Sequence, residues 1–150
     1  MGFENTSDRQ QNGHNALEEK LKHQYYLRVG SPIFREVRVG RRSPNSECRW
    51  IDAVHILGIK HVARFDVCDQ KSRDKFARLV SGRVVEVIEA KRKLNRSVIG
   101  QAIVAKYLFK WEYPKARAVR PVVVYRKGEG DTVLEAVCEK MHVKAVPLAG

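Results

Sequence analysis

Cysteine is scarce in this 150-residue sequence, and its three cysteines, Cys48, Cys68 and Cys138, form no Cys-x-x-Cys pair. The five histidines are scattered along the chain. The sequence therefore predicts neither a disulfide framework nor a zinc site.

Long apolar runs are missing as well. The longest apolar stretches, such as residues 53–59, already contain a histidine and fall far short of the ~20 residues that span a bilayer. No charged-then-apolar secretory leader opens the chain, and no internal repeat divides it. We therefore expect a single-domain cytoplasmic protein with no membrane partner.

Acidic residues are outnumbered by basic ones. Twenty-nine Lys and Arg against 17 Asp and Glu give a formal net charge of +12. The excess is concentrated in residues 83–127, which carry 12 basic and 3 acidic side chains. A basic surface attracts a polyanion through phosphate contacts and counterion release, so nucleic acid is the expected partner.

Hydrophobic periodicity predicts the element order α-β-β-(α)-β-α-β-α-β. This order is typical of an α/β single domain with a central mixed β-sheet flanked by helices. The first helix is expected over residues 15–27, after a flexible arm over residues 1–12. Strands are predicted over residues 33–39, 49–56, 83–91, 118–125 and 143–147, with a further candidate over 62–67, and helices over 71–80, 97–111 and 131–140.

The helix predicted over residues 97–111, capped by Ser97, carries an apolar stripe at Ile99, Ile103, Val104, Tyr107 and Leu108 that we expect to face inward. Aromatic residues elsewhere are expected in the core or at sheet edges rather than as base-stacking platforms. These are Trp50, Trp111, Tyr25, Tyr26 and Tyr113.

A carboxylate and a lysine stand two positions apart at the end of the predicted buried strand, as Glu89 and Lys91. Strand alternation places both on one side of the sheet, and neither is often buried without a partner. The pair is either a solvated ion pair or a site where the carboxylate holds a divalent cation and the ammonium orients a water. Asp52 is the only acid in the apolar stretch 50–54, where desolvation disfavours it unless a cation or hydrogen bonds compensate.

Two other positions could complete such a site. Glu18 and Glu19 stand beside the apolar stripe of the first helix, and an ordinary solvated face explains at least one of them. Gln101 follows Lys91 by ten residues, in the first turn of the next predicted helix and within reach of the same strand end.

This succession of a helix with Glu, a strand, a strand with Asp52, a strand with Glu89-Ala90-Lys91, a basic helix and a strand resembles the PD-(D/E)xK nuclease superfamily. That superfamily includes restriction and homing endonucleases and Holliday-junction resolvases. The resemblance covers roughly residues 13–125 and implies a restriction endonuclease-like core within a nuclease-like domain at residues 13–150. The residue before Asp52 is Ile51 rather than Pro, a departure from the motif that many members tolerate.

The resemblance implies a Mg²⁺- or Mn²⁺-dependent DNA endonuclease. Asp52 and Glu89 would hold the metal, Glu18 or Glu19 would complete its ligands, and Lys91 would orient water, with Gln101 as a further catalytic residue. The separation of Asp52 from Glu89 then makes residues 60–81 an insertion. If Asp66 or Asp69 were the acid instead, the strand assignment would shift.

The partner implied is duplex or branched DNA, held by basic residues on the first hairpin and around the Glu-x-Lys motif. A homodimer would supply two cleavage centres, with the last helix (Val133, Leu134, Val137, Cys138) as either its interface or a lid on the sheet. The alternatives are a non-catalytic basic DNA- or RNA-binding protein and an RNA-processing factor. The expected nucleic-acid-binding residues are Arg41, Arg42, Arg49, Arg92, Lys93 and Arg96.

Overall fold

The structure, a computed structural model, describes residues 6–39, 49–60, 62 and 65–150, with the side chains of the first helix from Ala16 onward. Its five-stranded sheet has the order β1-β2-β3-β4-β5. Strand β2 runs antiparallel to both of its neighbours, β1 and β3, whereas β3, β4 and β5 are parallel. The elements are α1 (Thr6–Val29), β1 (Ile33–Val39), β2 (Arg49–Ile56), α2 (Gln70–Val80), β3 (Val84–Ala90), α3 (Arg96–Glu112), β4 (Ala118–Arg126), α4 (Thr132–Lys140) and β5 (Lys144–Leu148).

This architecture confirms the predicted α/β class and its mixed sheet. Helices α2, α3 and α4 pack on one face of the sheet through residues such as Phe76, Phe109 and Cys138. Helix α1 covers the opposite face with Leu21 and Tyr25. Both faces of β3 are therefore covered, which explains its nearly continuous apolar sequence. No helix within the described part of the chain combines the length and apolar character that a membrane crossing requires.

The largest departures from the predicted elements lie in α1 and in residues 62–67. Helix α1 begins at Thr6, well before residue 15, while the flexible arm over residues 1–12 stays a prediction. Val62 and residues 65–67 adopt no strand, so the candidate strand over 62–67 is not formed at the described positions. Helix α2 buries Phe76 and Val80 in the main core, and its status as an insertion stays a prediction.

Helix α3 is rotated relative to the prediction, which is confirmed for three of the five stripe residues: Ile99 is buried, and Ile103 and Leu108 pack against the core. Val104 and Tyr107 are 55% and 67% exposed, so their inward assignment is wrong. Small residues explain the rotation, because Ala102 and Ala105 let the helix approach the sheet closely where bulkier side chains would hold it off. The helix begins after Asn95 rather than Ser97, and the Asn95 side chain accepts a 2.8 Å hydrogen bond from the Val98 N–H. The buried face consists of Val98, Ile99, Ala102, Ala105 and Phe109.

A polar network lies within the α1 face of the sheet around the buried Glu86 carboxylate. Its Oε1 accepts hydrogen bonds from Tyr25 Oη at 2.6 Å and pairs with His55 Nδ1 at 2.7 Å. His55 Nε2 lies 2.5 Å from Ser31 Oγ, and Lys144 Nζ lies 3.5 Å from Glu86 Oε2. Each buried polar group of this network therefore has a partner, which offsets the cost of removing it from water.

Helix α4 has a packed side and an exposed side. Cys138 is buried, and Leu134 packs against the same cluster beneath the helix. Val133 and Val137 point outward, 70% and 40% exposed. The helix therefore covers the sheet and also carries an outward apolar face, and the homodimer stays a prediction.

Candidate active site

The candidate site lies where β2 and β3 part from each other. Their ladder ends at the pair Ala53–Ile88. Continuing that register by one residue places Asp52 opposite Glu89, at the first position where the two strands no longer bond. The two acids singled out from the sequence therefore face each other across the opening between these strands.

A local irregularity in the neighbouring strand accompanies this opening. Between the pairs Arg35–Ala53 and Val37–Ile51, the ladder of β1 and β2 skips the position where Glu36 meets Asp52. Glu36 has a φ of 54°, a left-handed conformation that is uncommon for a residue with a side chain. The regular inward-outward alternation is interrupted there, since Ile51 and Val54 both enter the same core. Asp52 is thus the residue at which β2 changes face.

One carboxylate oxygen of Asp52 replaces a missing ladder bond. Its Oδ2 accepts a 2.9 Å hydrogen bond from the backbone N–H of Ala90, the residue between Glu89 and Lys91. The bond fixes the backbone of the Glu-x-Lys motif against β2.

Asp52, Glu89, Lys91 and Gln101 line a single pocket of about 520 Å³ between β2, the end of β3 and α3. Gln101 reaches the pocket because the solvent-facing side of α3 borders it. The four residues come from three elements and are separated by up to 49 positions in the chain, yet the fold gathers them at one opening.

The two acids influence each other electrostatically. Glu89 is 8% exposed, and burial, followed by the charge and hydrogen bond of Asp52, raises the pKa of Glu89 to about 9. Lys91 opposes this shift without cancelling it. The positive charge near Asp52 and Glu89 is too small to balance two ionised carboxylates. A bound cation would stabilise such a pair.

Of the two candidate glutamates on α1, Glu18 is the one beside the site. Its Oε1 lies 3.5 Å from Lys91 Nζ, and burial raises the pKa of Glu18 against the opposing charge of Lys91. Glu19 instead pairs with Lys22 and Arg35, each at 2.5 Å. Glu18 thus holds the lysine, while its role as a metal ligand stays a prediction.

The residues present fit a hard divalent cation with few protein ligands. In the described part of the chain, no cluster of three or more His, Cys, Asp or Glu side chains is arranged to hold a metal ion. Mg²⁺ commonly uses one or two carboxylates and completes its shell with waters and substrate phosphates. The facing carboxylates of Asp52 and Glu89 supply that smaller set of oxygen donors.

The basic residues expected to bind nucleic acid are only partly near this pocket. Arg49 lines it directly, and Lys93 and Arg96 are exposed just beyond Lys91. Arg92 lies 3.5 Å from Glu129. Arg41 and Arg42 fall outside the described residues.

Several pocket residues were not identified from the sequence, among them Trp50 and Val104. An apolar residue that is expected in the core is not recognised from the sequence as part of a ligand site. Val104 is identified as a pocket residue only from the observed orientation of α3. Trp50 is 53% exposed, so it lies at a surface rather than in the core.

Asp69 caps α2 by accepting a 2.7 Å hydrogen bond from the Ser72 N–H, and neither it nor Asp66 lines the pocket.

Comparisons with known protein families, curated proteins and solved structures find no significant match to this chain.

Proposed function

We propose that this chain is a metal-dependent DNA endonuclease of the PD-(D/E)xK type. The observation that carries the proposal is the gathering of Asp52, Glu89, Lys91 and Gln101 around one pocket. These residue types match the needs of phosphodiester hydrolysis, which are a bound cation, an oriented water and relief of negative charge on the scissile phosphate.

Each side chain has a distinct task in this proposal. Asp52 and Glu89 present oxygen donors from opposite sides of the opening between β2 and β3. Lys91 orients the attacking water and offsets the charge that develops on the phosphate. Glu18 positions the Lys91 ammonium, and the Gln101 amide offers both donor and acceptor atoms to the substrate or water.

A bound Mg²⁺ or Mn²⁺ would supply Lewis-acid polarisation of the phosphate. The raised pKa of Glu89 favours its protonated form at neutral pH when no cation is bound. A carboxylate must be ionised to act as a ligand, so cation binding would release that proton.

The chain's positive charge provides the attraction for DNA. Arg49 lines the pocket, and the exposed residues Lys93 and Arg96 follow Lys91 in the chain. Such cations are suited to phosphate oxygens on either side of the scissile bond. The described residues form one such site, so cutting both strands of a duplex calls for a second copy, and we include a homodimer in the proposal.

Plasmid cleavage tests the enzymatic proposal. Supercoiled DNA is incubated with the protein in Mg²⁺, in Mn²⁺ and in EDTA, and nicked and linear products are quantified. We expect cleavage with either metal and none in EDTA, and Lys91→Ala should reduce the rate by at least about 100-fold. Lys140→Ala, which removes a cation from the end of α4, is the matched control and should retain the wild-type rate.

Binding to DNA without cleavage in either metal would instead support the non-catalytic nucleic-acid-binding alternative. Cleavage of structured RNA in preference to duplex DNA would support the RNA-processing alternative. Undiminished cleavage by Lys91→Ala would contradict the assignment of the site.

A further inference from the structure

An exposed apolar strip runs along α3 away from the pocket. It consists of Val104, Tyr107 and Trp111, which are 55%, 67% and 63% exposed. Their spacing of three and four residues places them on one side of the helix. Large apolar side chains on a solvent-facing helix surface indicate a partner that covers them.

The α3 strip is continuous with the candidate active site. Val104 lines the pocket together with Trp50, a second exposed tryptophan, on β2. From Val104 to Trp111 the helix rises about 10 Å, at 1.5 Å per residue. A ligand whose reactive group occupies the pocket could therefore extend along the strip without leaving the protein surface.

Cations accompany the rings. Lys106 Nζ lies 5.7 Å from the centre of the Tyr107 ring, and the Arg38 guanidinium lies 6.0 Å from the Trp50 ring. The sequence of residues 90–111 contains six Lys and Arg and no Asp or Glu. The ligand that fits this surface is therefore both anionic and rich in flat apolar faces.

We infer that the α3 strip and Trp50 bind unpaired bases of a nucleic acid strand that enters the active site. This inference rests on the proposed function and specifies its substrate as DNA with a single-stranded or unwound segment beside the scissile bond. Exposed aromatic rings stack on bases whose faces are free, while neighbouring Lys and Arg contact the phosphates. A fully paired duplex buries its base faces in its own stack and would cover the strip with phosphates, leaving the rings without suitable partners.

Charge argues against a second copy of the chain as the occupant of this strip. A two-fold axis through α3 would place the same surface patch on both subunits. The basic residues around one α3 would then oppose those around the other, and like charges facing each other across an interface are unfavourable. The outward apolar face of α4 lies in a more acidic segment, residues 128–150, with four Asp and Glu against two Lys.

Binding without cleavage tests the inference directly. In EDTA, the affinity for a labelled short oligothymidylate is compared with that for an abasic oligonucleotide of the same length, which has the phosphates but no bases. We expect the wild-type protein to bind oligothymidylate at least about 100-fold more tightly, and Tyr107→Ala and Trp111→Ala each to weaken that binding about tenfold. Val133→Ala, which truncates an exposed apolar side chain on α4, is the control and should bind as the wild type does.

Intrinsic fluorescence provides a second readout, because Trp50 and Trp111 are the sequence's two tryptophans. Oligothymidylate should quench their emission, whereas the abasic strand should not. Equal affinity for the two strands, or unchanged binding by Tyr107→Ala and Trp111→Ala, would overturn the inference. A sedimentation change from dimer to monomer in Trp111→Ala, with unchanged oligothymidylate binding, would also overturn it and identify the strip as a subunit interface.

Cleavage assays on the same preparations separate this inference from the proposed function. Stacking in EDTA without any cleavage in Mg²⁺ would contradict the nuclease proposal and leave the base-binding surface supported. If the protein cleaves in Mg²⁺ but does not prefer the oligothymidylate to the abasic strand, the base-binding surface is contradicted and the nuclease proposal is not.

Discussion

Asp52 Oδ2 accepts a hydrogen bond from the backbone N–H of Ala90 at 2.9 Å, which joins β2 to the residue between the candidate metal ligand and the candidate catalytic lysine. The bond gives Asp52 two separable roles. Its carboxylate maintains the backbone geometry of the Glu-x-Lys motif, and its charge faces Glu89 across the opening.

Substitutions at Asp52 should separate these two roles. Asp52→Asn keeps an oxygen that can accept from Ala90 but removes the charge, so it should abolish cleavage while changing the free energy of unfolding by less than about 1 kcal/mol. Asp52→Ala also leaves the Ala90 N–H without its partner and should cost about 1 to 3 kcal/mol. Urea denaturation together with plasmid cleavage measures both effects. Equal stability of the two variants would contradict a structural role for the carboxylate.

The two adjacent glutamates on α1 should differ in their effect on activity. Glu18 lies 3.5 Å from Lys91, so Glu18→Gln should reduce cleavage on the order of tenfold by releasing the lysine from its position. Glu19 pairs with Lys22 and Arg35, so Glu19→Gln should cleave at the wild-type rate. Initial rates on supercoiled plasmid measure the difference. A larger loss in Glu19→Gln than in Glu18→Gln would contradict the placement of α1 against the site.

The buried Glu86 network predicts a pH dependence of stability. Burial by itself would raise the pKa of Glu86, but hydrogen bonds from His55 and Tyr25 outweigh it and lower that pKa to about 2 from 4.5. Because the folded pKa is lower than the unfolded one, the ionised carboxylate stabilises the protein above pH 4.5 and loses this contribution as the pH falls toward 2.

Glu86→Gln should therefore lower the free energy of unfolding at pH 7 on the order of 2 kcal/mol. Its difference from the wild type should shrink between pH 5 and pH 3. Denaturant unfolding across that range measures the difference, with Glu139→Gln on the exposed side of α4 as the control. A difference that stays constant with pH would show that the carboxylate is not held ionised by its neighbours.

The sequence predicted most strand and helix positions because their patterns are local. Strand β1 has the alternation of a half-covered strand, and its predicted limits match Ile33–Val39. The face of α3 could not be predicted in the same way, because large apolar residues occur on both sides of this helix. Ala102 and Ala105 determine which side of α3 packs on the sheet. Their small size has this effect only when the helix lies against the sheet, so the sequence pattern does not reveal it.

The candidate site was predictable as a set of residues but not as an arrangement. Asp52 is singled out as the one acid in an apolar strand, whereas Glu89 and Lys91 gain weight only from that context and from the resemblance. The choice between Glu18 and Glu19 depends on the rotation of α1, and the contribution of Trp50 depends on the irregularity at Glu36 and Asp52. Both are properties of packing between distant segments, which a single sequence does not reveal.

Crystals grown or soaked with Mn²⁺ give the most direct test of a metal site between Asp52 and Glu89. We expect an anomalous scattering peak about 2.1 Å from one carboxylate oxygen of each residue, and no such peak in crystals of Asp52→Asn. A metal site between Asp52 and Glu89 would be contradicted by a fully occupied Mn²⁺ position that contacts neither carboxylate. It would also be contradicted by an empty pocket at saturating Mn²⁺.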